Sequence, residues 1–150
     1  MTYEIREIDG VLNRHIIEDF NALDPYFPDL QTRHFKNGFW WLALKTDHPD
    51  AIGEVEAAVA FAGMVPMEPF PNVGYLKRCF VMPGHYGHGI QYRMLKAREI
   101  RSRQLKWTTL VSECRADNER SANNFRRAGF DEFEPEQKWA MDSIYFKKTL

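Results

Sequence analysis

The stretch Val81-Met82-Pro83-Gly84-His85-Tyr86-Gly87-His88-Gly89-Ile90 constrains this chain more than any other. An apolar run ends at Val81, a proline and glycines follow, and a helical pattern opens at Ile90. Helix N-termini leave backbone N–H groups unpaired and carry the positive end of the helix dipole. Glycine lets such a turn adopt positive φ and lets a phosphate approach the backbone closely. Strand, Gly-x-Gly turn and helix therefore make an anion cradle, for which pyrophosphate is the usual occupant. The same residues also read as an ordinary strand-to-helix turn that needs glycine for geometry, and a lone Gly-x-Gly does not decide between the two.

The elements around this segment follow from spacing. Residues 2–8 alternate as a short strand, broken at Asp9-Gly10. Leu12, Ile16, Phe20 and Leu23 fall at helical spacing. Asp24-Pro25 closes that helix, because a residue before proline is driven from the α region. A second short helix is predicted from Pro28 to about Lys36. Phe39 to Lys45 is a predicted strand, with Trp40 and Trp41 on opposite faces, one in the core and one outward. A turn over Thr46 to Gly53 leads into a long apolar strand from Val55 to about Val65. Val73 to Val81 is the next strand. Ile90 to about Leu105 reads as a helix with Ile90, Met94, Leu95, Ala97 and Ile100 inward and Lys96, Arg98, Arg101 and Arg103 outward. A strand over Trp107 to Cys114, a helix over Glu119 to Ala128 and two closing strands complete the chain, the last over Trp139 to Phe146. The order β-α-α-β-β-β-α-β-α-β-β places the fold in the α/β class, as a mixed α+β sheet with helices on its faces. The 150 residues suit one compact domain, 1–150.

A second segment, Asn118-Glu119-Arg120-Ser121-Ala122-Asn123-Asn124-Phe125-Arg126-Arg127-Ala128-Gly129-Phe130, follows the next strand at a natural distance. Together the two segments resemble the GNAT N-acetyltransferase family. That family's pattern Val-x-Pro-x-x-Arg-Gly-x-Gly-Ile is met at Val81, Pro83, Gly87, Gly89 and Ile90. Its later pattern Asn-x-x-Ala/Ser-x-x-x-Tyr-x-x-x-Gly-Phe is met at Asn118, Ser121, Gly129 and Phe130, and the predicted element order fits the family fold. Three positions depart. Tyr86 stands where the family has Arg or Gln, Gln91 where it has Gly or Ala, and Phe125 where it has a tyrosine often assigned as general acid.

The resemblance implies acetyl-CoA as acyl donor and direct transfer of the acetyl group to a primary amine in a ternary complex. It implies that the pantetheine arm pairs with the strand edge at Cys79, Phe80 and Val81. A backbone N–H near Phe80 or Val81 would meet the developing oxyanion. Tyr86, Gly87, His88, Gly89, Ile90 and Gln91 would hold the pyrophosphate, with Asn118, Ser121 and Phe125 along the cofactor arm. An alkyl amine has a pKa of ~10.4 and must lose a proton before it attacks. Glu113, five residues before Asn118, occupies the position of the base assigned in the family's ribosomal-protein N-terminal acetyltransferases. It reads equally as a solvent-facing strand glutamate. Asp24, Tyr26 and Phe27 fall where the family shapes its acceptor pocket, or they form a capped, packed turn. Cys79 and Cys114 read as small buried strand residues rather than acyl carriers. His85 and His88 either touch phosphate or ribose, or are exposed loop histidines.

Composition bounds the partners. A formal net charge of -1 supplies no global field toward nucleic acid or an anionic membrane. The longest apolar run, Ala57 to Met67, is interrupted by Gly63 and Pro66 and falls short of the ~20 residues that span a bilayer. Charges at the N-terminus stand where a secretory signal needs apolar residues. Two cysteines suit a reducing compartment, so the cytoplasm is the expected location. Five scattered histidines without a His or His/Cys cluster argue against a metal. The expected partner is a small-molecule or peptide amine, with a homodimer across the edge of the last strand as a further expectation. Two other functions remain open. Phe125 favours a non-catalytic acyl-CoA-binding regulatory module. The basic face of the Ile90 helix, with Arg126 and Arg127, raises a nucleic-acid-modifying acyltransferase.

Overall fold

The computed structural model describes residues 2–46 and 58–150. The chain runs β1 (Tyr3–Ile8), α1 (Arg14–Asn21), α2 (Thr32–Asn37), β2 (Phe39–Lys45), β3 (Ala58–Pro66), β4 (Val73–Val81), α3 (Ile90–Gln104), β5 (Thr109–Arg115), α4 (Glu119–Arg127), β6 (Asp131–Phe133) and β7 (Ser143–Thr149). This is the predicted order. The predicted turn after Thr46 and the predicted start of β3 lie outside the described residues.

The strands form one sheet in the order β1-β2-β3-β4-β5-β7-β6. β1 to β4 run antiparallel to their neighbours, β4 and β5 run parallel, and β5, β7 and β6 are antiparallel again. The parallel step requires a crossover, which α3 supplies. β7 lies between β5 and β6, so the expected dimer edge on the last strand is corrected. That strand begins at Ser143 rather than Trp139, and its neighbours cover both sides.

Helices cover both faces. Ile16, Ile17, Phe20 and Phe35 of α1 and α2 pack with Trp40, Leu42, Leu44 and Phe61. Leu95 of α3 and Ala122 and Phe125 of α4 pack with Trp41, Met64, Leu76, Leu110 and Phe146 on the other face. Trp40 and Trp41 point to opposite faces as expected, but neither faces out. They are 0% and 3% exposed, because each face of the sheet is a core.

Two expectations for α3 are also corrected. Ile100 is 59% exposed, while Arg98 is buried at 2%. At about 100° per residue, Arg98 falls in line with Ile90 and Met94, eight and four positions before it, whereas Ile100 turns to the opposite side.

Buried Glu99 ties α3 to the far half of the sheet. It receives Lys96 at 2.7 Å, Lys148 of β7 at 2.6 Å and Arg103 at 3.3 Å. Lys148 also donates to the Ala128 carbonyl at 2.7 Å, which closes the end of α4 onto the same point. Burial alone would raise the Glu99 carboxyl, but hydrogen bonds from Lys148 and Lys96 outweigh it and hold the group below its ordinary value. A lowered carboxylate stabilises the fold above its unfolded pKa, and that contribution is lost as pH falls through the folded one. Glu99→Gln leaves Lys148 without its anion. It is expected to destabilise the protein by about 3 kcal/mol at pH 7, roughly 10 °C in Tm, with a smaller loss on acidification than wild type. Thermal melts at pH 7 and pH 4 check both parts.

Candidate active site

β4 and β5 pair at only three positions, Val73↔Thr109, Gly74↔Leu110 and Tyr75↔Val111. Ser112 Oγ donates to the Leu76 carbonyl at 2.9 Å as a last link. Beyond it the strands separate around a cleft of about 940 Å³. Leu76, Arg78, Cys79 and Phe80 line one side, Glu113, Cys114 and Arg115 the other, and the segment Leu23–Pro28 closes over them.

A β-bulge redirects β4. Ala62 pairs with Cys79 and Gly63 with Lys77, so Arg78 is the extra residue, held at φ 68. A non-glycine residue seldom adopts that region, and a bulge both bends its strand and sharpens the twist. Past the bulge, Met82 N–H donates to the Val59 carbonyl of β3 at 2.9 Å. Antiparallel alternation then turns the Cys79 and Val81 N–H groups away from β3, toward the side that β5 has left. Sequence reasoning had pointed to Phe80 or Val81. Cys79 and Phe80 line the cleft, and Val81 stands outside its wall.

The glycine loop opens beside this gap. Gly87 and Gly89 have φ of 82° and 71°. A Cβ at either would meet nothing within 4 Å, so glycine serves the turn and leaves open ground before the backbone. Gly89 begins α3 without a side-chain cap, which leaves the first-turn N–H groups to a ligand or water. Tyr86 lies outside on the loop with the Arg120 guanidinium 3.9 Å from its ring. His85 Nδ1 lies 2.8 Å from the Tyr3 hydroxyl, and the His88 ring packs 5.4 Å from that of Tyr3. Both histidines therefore face β1. Ile90 is core.

Side chains at the α3–α4 junction are engaged with one another. Gln91 Nε2 donates to Ser121 Oγ at 2.8 Å, and Asn124 Nδ2 donates to Gln91 Oε1 at 3.1 Å. Asn118 Oδ1 caps α4 by accepting from the Ser121 N–H at 3.1 Å. Gln91, Asn118, Ser121 and Phe125 all still line the cleft. Phe125 is 6% exposed and stacks on Phe146 at 4.8 Å.

At the opposite end, Glu113 lines the cleft and is held by two donors. The Tyr75 hydroxyl donates to one carboxylate oxygen and Trp139 Nε1 to the other at 2.9 Å. Burial first, and then the Glu113 charge, push the Tyr75 phenol far up. The arrangement is that of a fixed carboxylate walled by aromatic rings. Asp24, Tyr26 and Phe27 form a turn at the mouth of the cleft. Asp24 Oδ1 accepts from the Tyr26 N–H at 2.9 Å, a capped turn, and all three line the cleft. Arg78 holds that turn from the bulge. Its Nε donates to Asn21 Oδ1 at 2.8 Å, its Nη2 to the Pro28 carbonyl at 3.0 Å, and its guanidinium lies 4.9 Å from the Phe27 ring.

Both thiols keep their protons. Burial pushes Cys79 up and Cys114 to about 11, so neither presents the nucleophilic thiolate at neutral pH. Among the described residues no group of three His, Cys, Asp or Glu side chains gathers to hold a metal.

Sequence reasoning missed Tyr75, Trp139, Arg78 and Arg98 as residues of the cleft. For Arg98 a signal existed, since it continues the Ile90 and Met94 stripe. Trp139 reaches Glu113 through a loop, which leaves no periodic mark.

An uncapped helix start thus lies beside two separated strands, within one mixed sheet covered by helices. The sequence profile of the acetyltransferase (GNAT) family matches residues 10–130, and the chain belongs to that family. Aminoglycoside N(6')-acetyltransferase type 1 of Acinetobacter haemolyticus is 30% identical over 109 residues, covering 73% of this chain and 69% of that protein. The fold is shared with the NatC complex bound to Gag peptide and CoA, at TM-score 0.78, 14% identity and coverage of 100% and 99%. It is shared also with the ribosomal-protein-S18-alanine N-acetyltransferase of Escherichia coli, at TM-score 0.73, 15% identity and coverage of 99% and 94%. At these identities the structural likeness is one of fold.

Lys77, beside the bulge, has its ammonium 5.8 Å from the Tyr75 ring. Burial first, then the Arg78 charge, lower it to about 8, with Arg33 adding to the effect and Glu113 opposing it. The same cluster keeps His34 neutral, down at about 4, through burial and then Lys77, Arg33 and Arg78. Lys77 is expected to titrate near pH 8 by the ¹³Cε chemical shift. Removing the opposing anion in Glu113→Gln should lower that midpoint further, and a midpoint near 10.4 in both proteins would refute the assignment.

Proposed function

We propose that this chain, as one domain over 1–150, transfers an acetyl group from acetyl-CoA to a primary amine by direct attack in a ternary complex. The separation of β4 from β5 beside the glycine loop carries this reading. The residues present fit the donor: open ground before Gly87 and Gly89 suits a pyrophosphate, and unpaired strand backbone suits an arm that carries its own amides. Backbone N–H groups from Tyr86 to Gln91 would hold the pyrophosphate. Cys79, Phe80 and Val81 would meet the arm, with Asn118, Ser121 and Phe125 along its other side. Acetyl-CoA, when bound, supplies an activated acyl carbon and a thiolate leaving group. Glu113 would take one proton from the acceptor ammonium and free the nitrogen lone pair, while the Cys79 N–H, turned away from β3 toward the cleft, would be available to an oxygen that gains negative charge.

The cleft also indicates the acceptor's character. Three carboxylates, Asp24, Glu113 and Asp117, face three guanidinium groups, Arg78, Arg98 and Arg115. Each carboxylate already has a partner: the Tyr26 N–H, the Tyr75 and Trp139 donors, and Arg115 at 3.1 Å. Leu23, Tyr26, Trp139 and Met141, at 51, 72, 42 and 89% exposed, are four of the protein's ten exposed large apolar side chains among the described residues, and all four line this cleft. Apolar exposure gathered in one place marks a binding surface. These features favour a single amine on an apolar or aromatic body, small molecule or peptide, over the polycationic substrate of the aminoglycoside enzyme. The formal charge of -1 disfavours nucleic acid, and the two free cysteines support a cytoplasmic location.

Calorimetric titration of acetyl-CoA into wild type and Gly89→Glu tests the donor site. Binding by wild type that weakens at least tenfold in the folded variant is expected, and no binding by wild type would overturn the reading. Glu113→Gln should lower kcat by ~10²–10⁴-fold while the donor Kd stays within about threefold. With a phenylalkylamine, an apolar-tipped peptide, kanamycin and spermidine as acceptors, kcat/KM should be highest for the first two. Preference for kanamycin would sink the acceptor assignment and leave the transferase reading intact. A donor that binds without turnover on any amine would favour the regulatory module instead.

A further inference from the structure

Arg98 is a buried guanidinium that makes no ion pair among the described residues, and its buried chain neighbour Glu99 is engaged instead by Lys96, Arg103 and Lys148. Its Nε donates to the Met94 carbonyl one turn back on α3, at 3.2 Å. Its Nη1 donates to the Gly63 carbonyl at 3.1 Å and to the Arg78 carbonyl at 3.3 Å. Gly63 is where the β3–β4 register slips, and Arg78 is the surplus residue. A bulge leaves backbone groups without ladder partners, and buried carbonyls need donors. Arg98 supplies them from beneath the sheet.

Burying a cation with no anion paired to it is costly, and an apolar side chain in this stripe would serve packing better. The remaining nitrogen, Nη2, has no hydrogen-bond partner among the described residues. No fully buried side-chain nitrogen or oxygen there lacks a partner, and Arg98 lines the cleft. The free nitrogen therefore meets the cleft itself.

We propose that Arg98 is a positioning residue for acetyl transfer: by bridging Gly63 and Arg78 it holds the β4 bulge and so aims the Cys79 N–H into the cleft. This rests on the acetyltransferase reading. Without the bridge the Arg78 carbonyl loses the buried donor that Nη1 supplies, and regular pairing would return. A slip of one residue reverses the direction of every side chain and backbone group beyond it. The Cys79 N–H would then face β3. The same fixed cation, lying beside Cys79, favours negative charge on an oxygen near that N–H.

Arg98→Met and Arg98→Lys, made in the full chain, test this by four readouts: thermal melt, acetyl-CoA Kd, kcat with KM, and the ¹⁵N–¹H shifts of Cys79 and Val81. Arg98→Met is expected to stay folded, and its donor Kd should rise less than its kcat falls, because the glycine loop still holds the pyrophosphate while the pairing offered by Cys79 and Val81 is weakened. Its kcat should fall ~100-fold, the scale of losing one oxyanion donor, with displaced Cys79 and Val81 amide signals. Arg98→Lys, which keeps the charge and some donors, should recover about tenfold of that loss. An unchanged kcat in Arg98→Met, or a kcat loss without any amide displacement, would overturn the proposal. Should Arg98→Met fail to fold, Arg98→Lys decides: a kcat that falls more than the donor Kd rises, at unchanged Tm, supports it, and a wild-type kcat overturns it. Should wild type fail to bind acetyl-CoA, the transferase reading falls, while the amide shifts still report whether Arg98 holds the bulge.

Discussion

The parallel contact between β4 and β5 ends after three residue pairs, and the rest of the molecule is arranged around that short seam. Gly74 sits in the seam under Trp107, which would strike a Cβ at 2.3 Å, so the two strands are pressed together where they do pair. Past Ser112 no backbone pairing joins them among the described residues, and the Tyr75 hydroxyl on Glu113 is a side-chain link alone. The halves must then be held from outside, and α3 and α4 do this. Gln91 meets Ser121 and Asn124 at one end of α3, and Glu99 meets Lys148 at the other. These bonds let a sheet stay one body while it opens in the middle. An opened sheet exposes strand backbone that must be hydrated or paired. A ligand with amides of its own answers that need, as an added strand would.

The bulge at Arg78 joins the two ends of the cleft. Its backbone turns the following N–H groups toward the gap, and its side chain reaches Asn21 and the Pro28 carbonyl to hold the segment that covers the acceptor end. One residue in an uncommon conformation thus sets the direction of the backbone N–H groups beside the gap and the position of the segment that covers the cleft. A left-handed arginine costs on the order of 1–3 kcal/mol, which persists only where the surroundings over-determine it. Here the Phe27 ring, Asn21 and the buried Arg98 all converge on it.

The order of elements was legible because each has a local cause: helical spacing in α1 and α3, prolines and glycines between them, and alternation in the strands. The two glycine-and-asparagine segments were legible at residue level because their spacing is fixed by one turn and one cap. What could not be read depends on pairing between distant residues. No local signal marks Arg78 as a bulge, since the register shift exists only against Ala62 and Gly63. The last strand reads as an edge in the sequence because nothing within residues 143–149 announces its pairing with β6. Trp41 was free to be read as exposed until both sheet faces proved to be covered. Arg98 is different: its spacing places it inward with Ile90 and Met94, while its charge points outward, and burial follows the spacing. Glu113 stood in the sequence as either a base or a solvated carboxylate, and its hydrogen bonds to Tyr75 and Trp139 place it in the cleft.

Phe125 bears on how the reaction closes. Its ring lies between Phe146 and Phe130, at 4.8 and 5.3 Å, so it functions as core at the cleft wall and offers no proton. The other protonated groups nearby, Cys114 at about 11 and the raised Tyr75 phenol, hold their protons more firmly than a thiol of ordinary pKa, ~8.5. Neither is a competent acid toward a coenzyme A thiolate. The attacking nitrogen, by contrast, becomes strongly acidic once its bond to carbon forms, and must shed a second proton in any case. On the proposed route the ammonium's first proton would go to Glu113 and on to solvent, and the second would pass through water to the thiolate, so that route calls for a base more than for an acid. The donors that fix Glu113 in the cleft, rather than a hydroxyl at position 125, are where this site has invested its polar contacts.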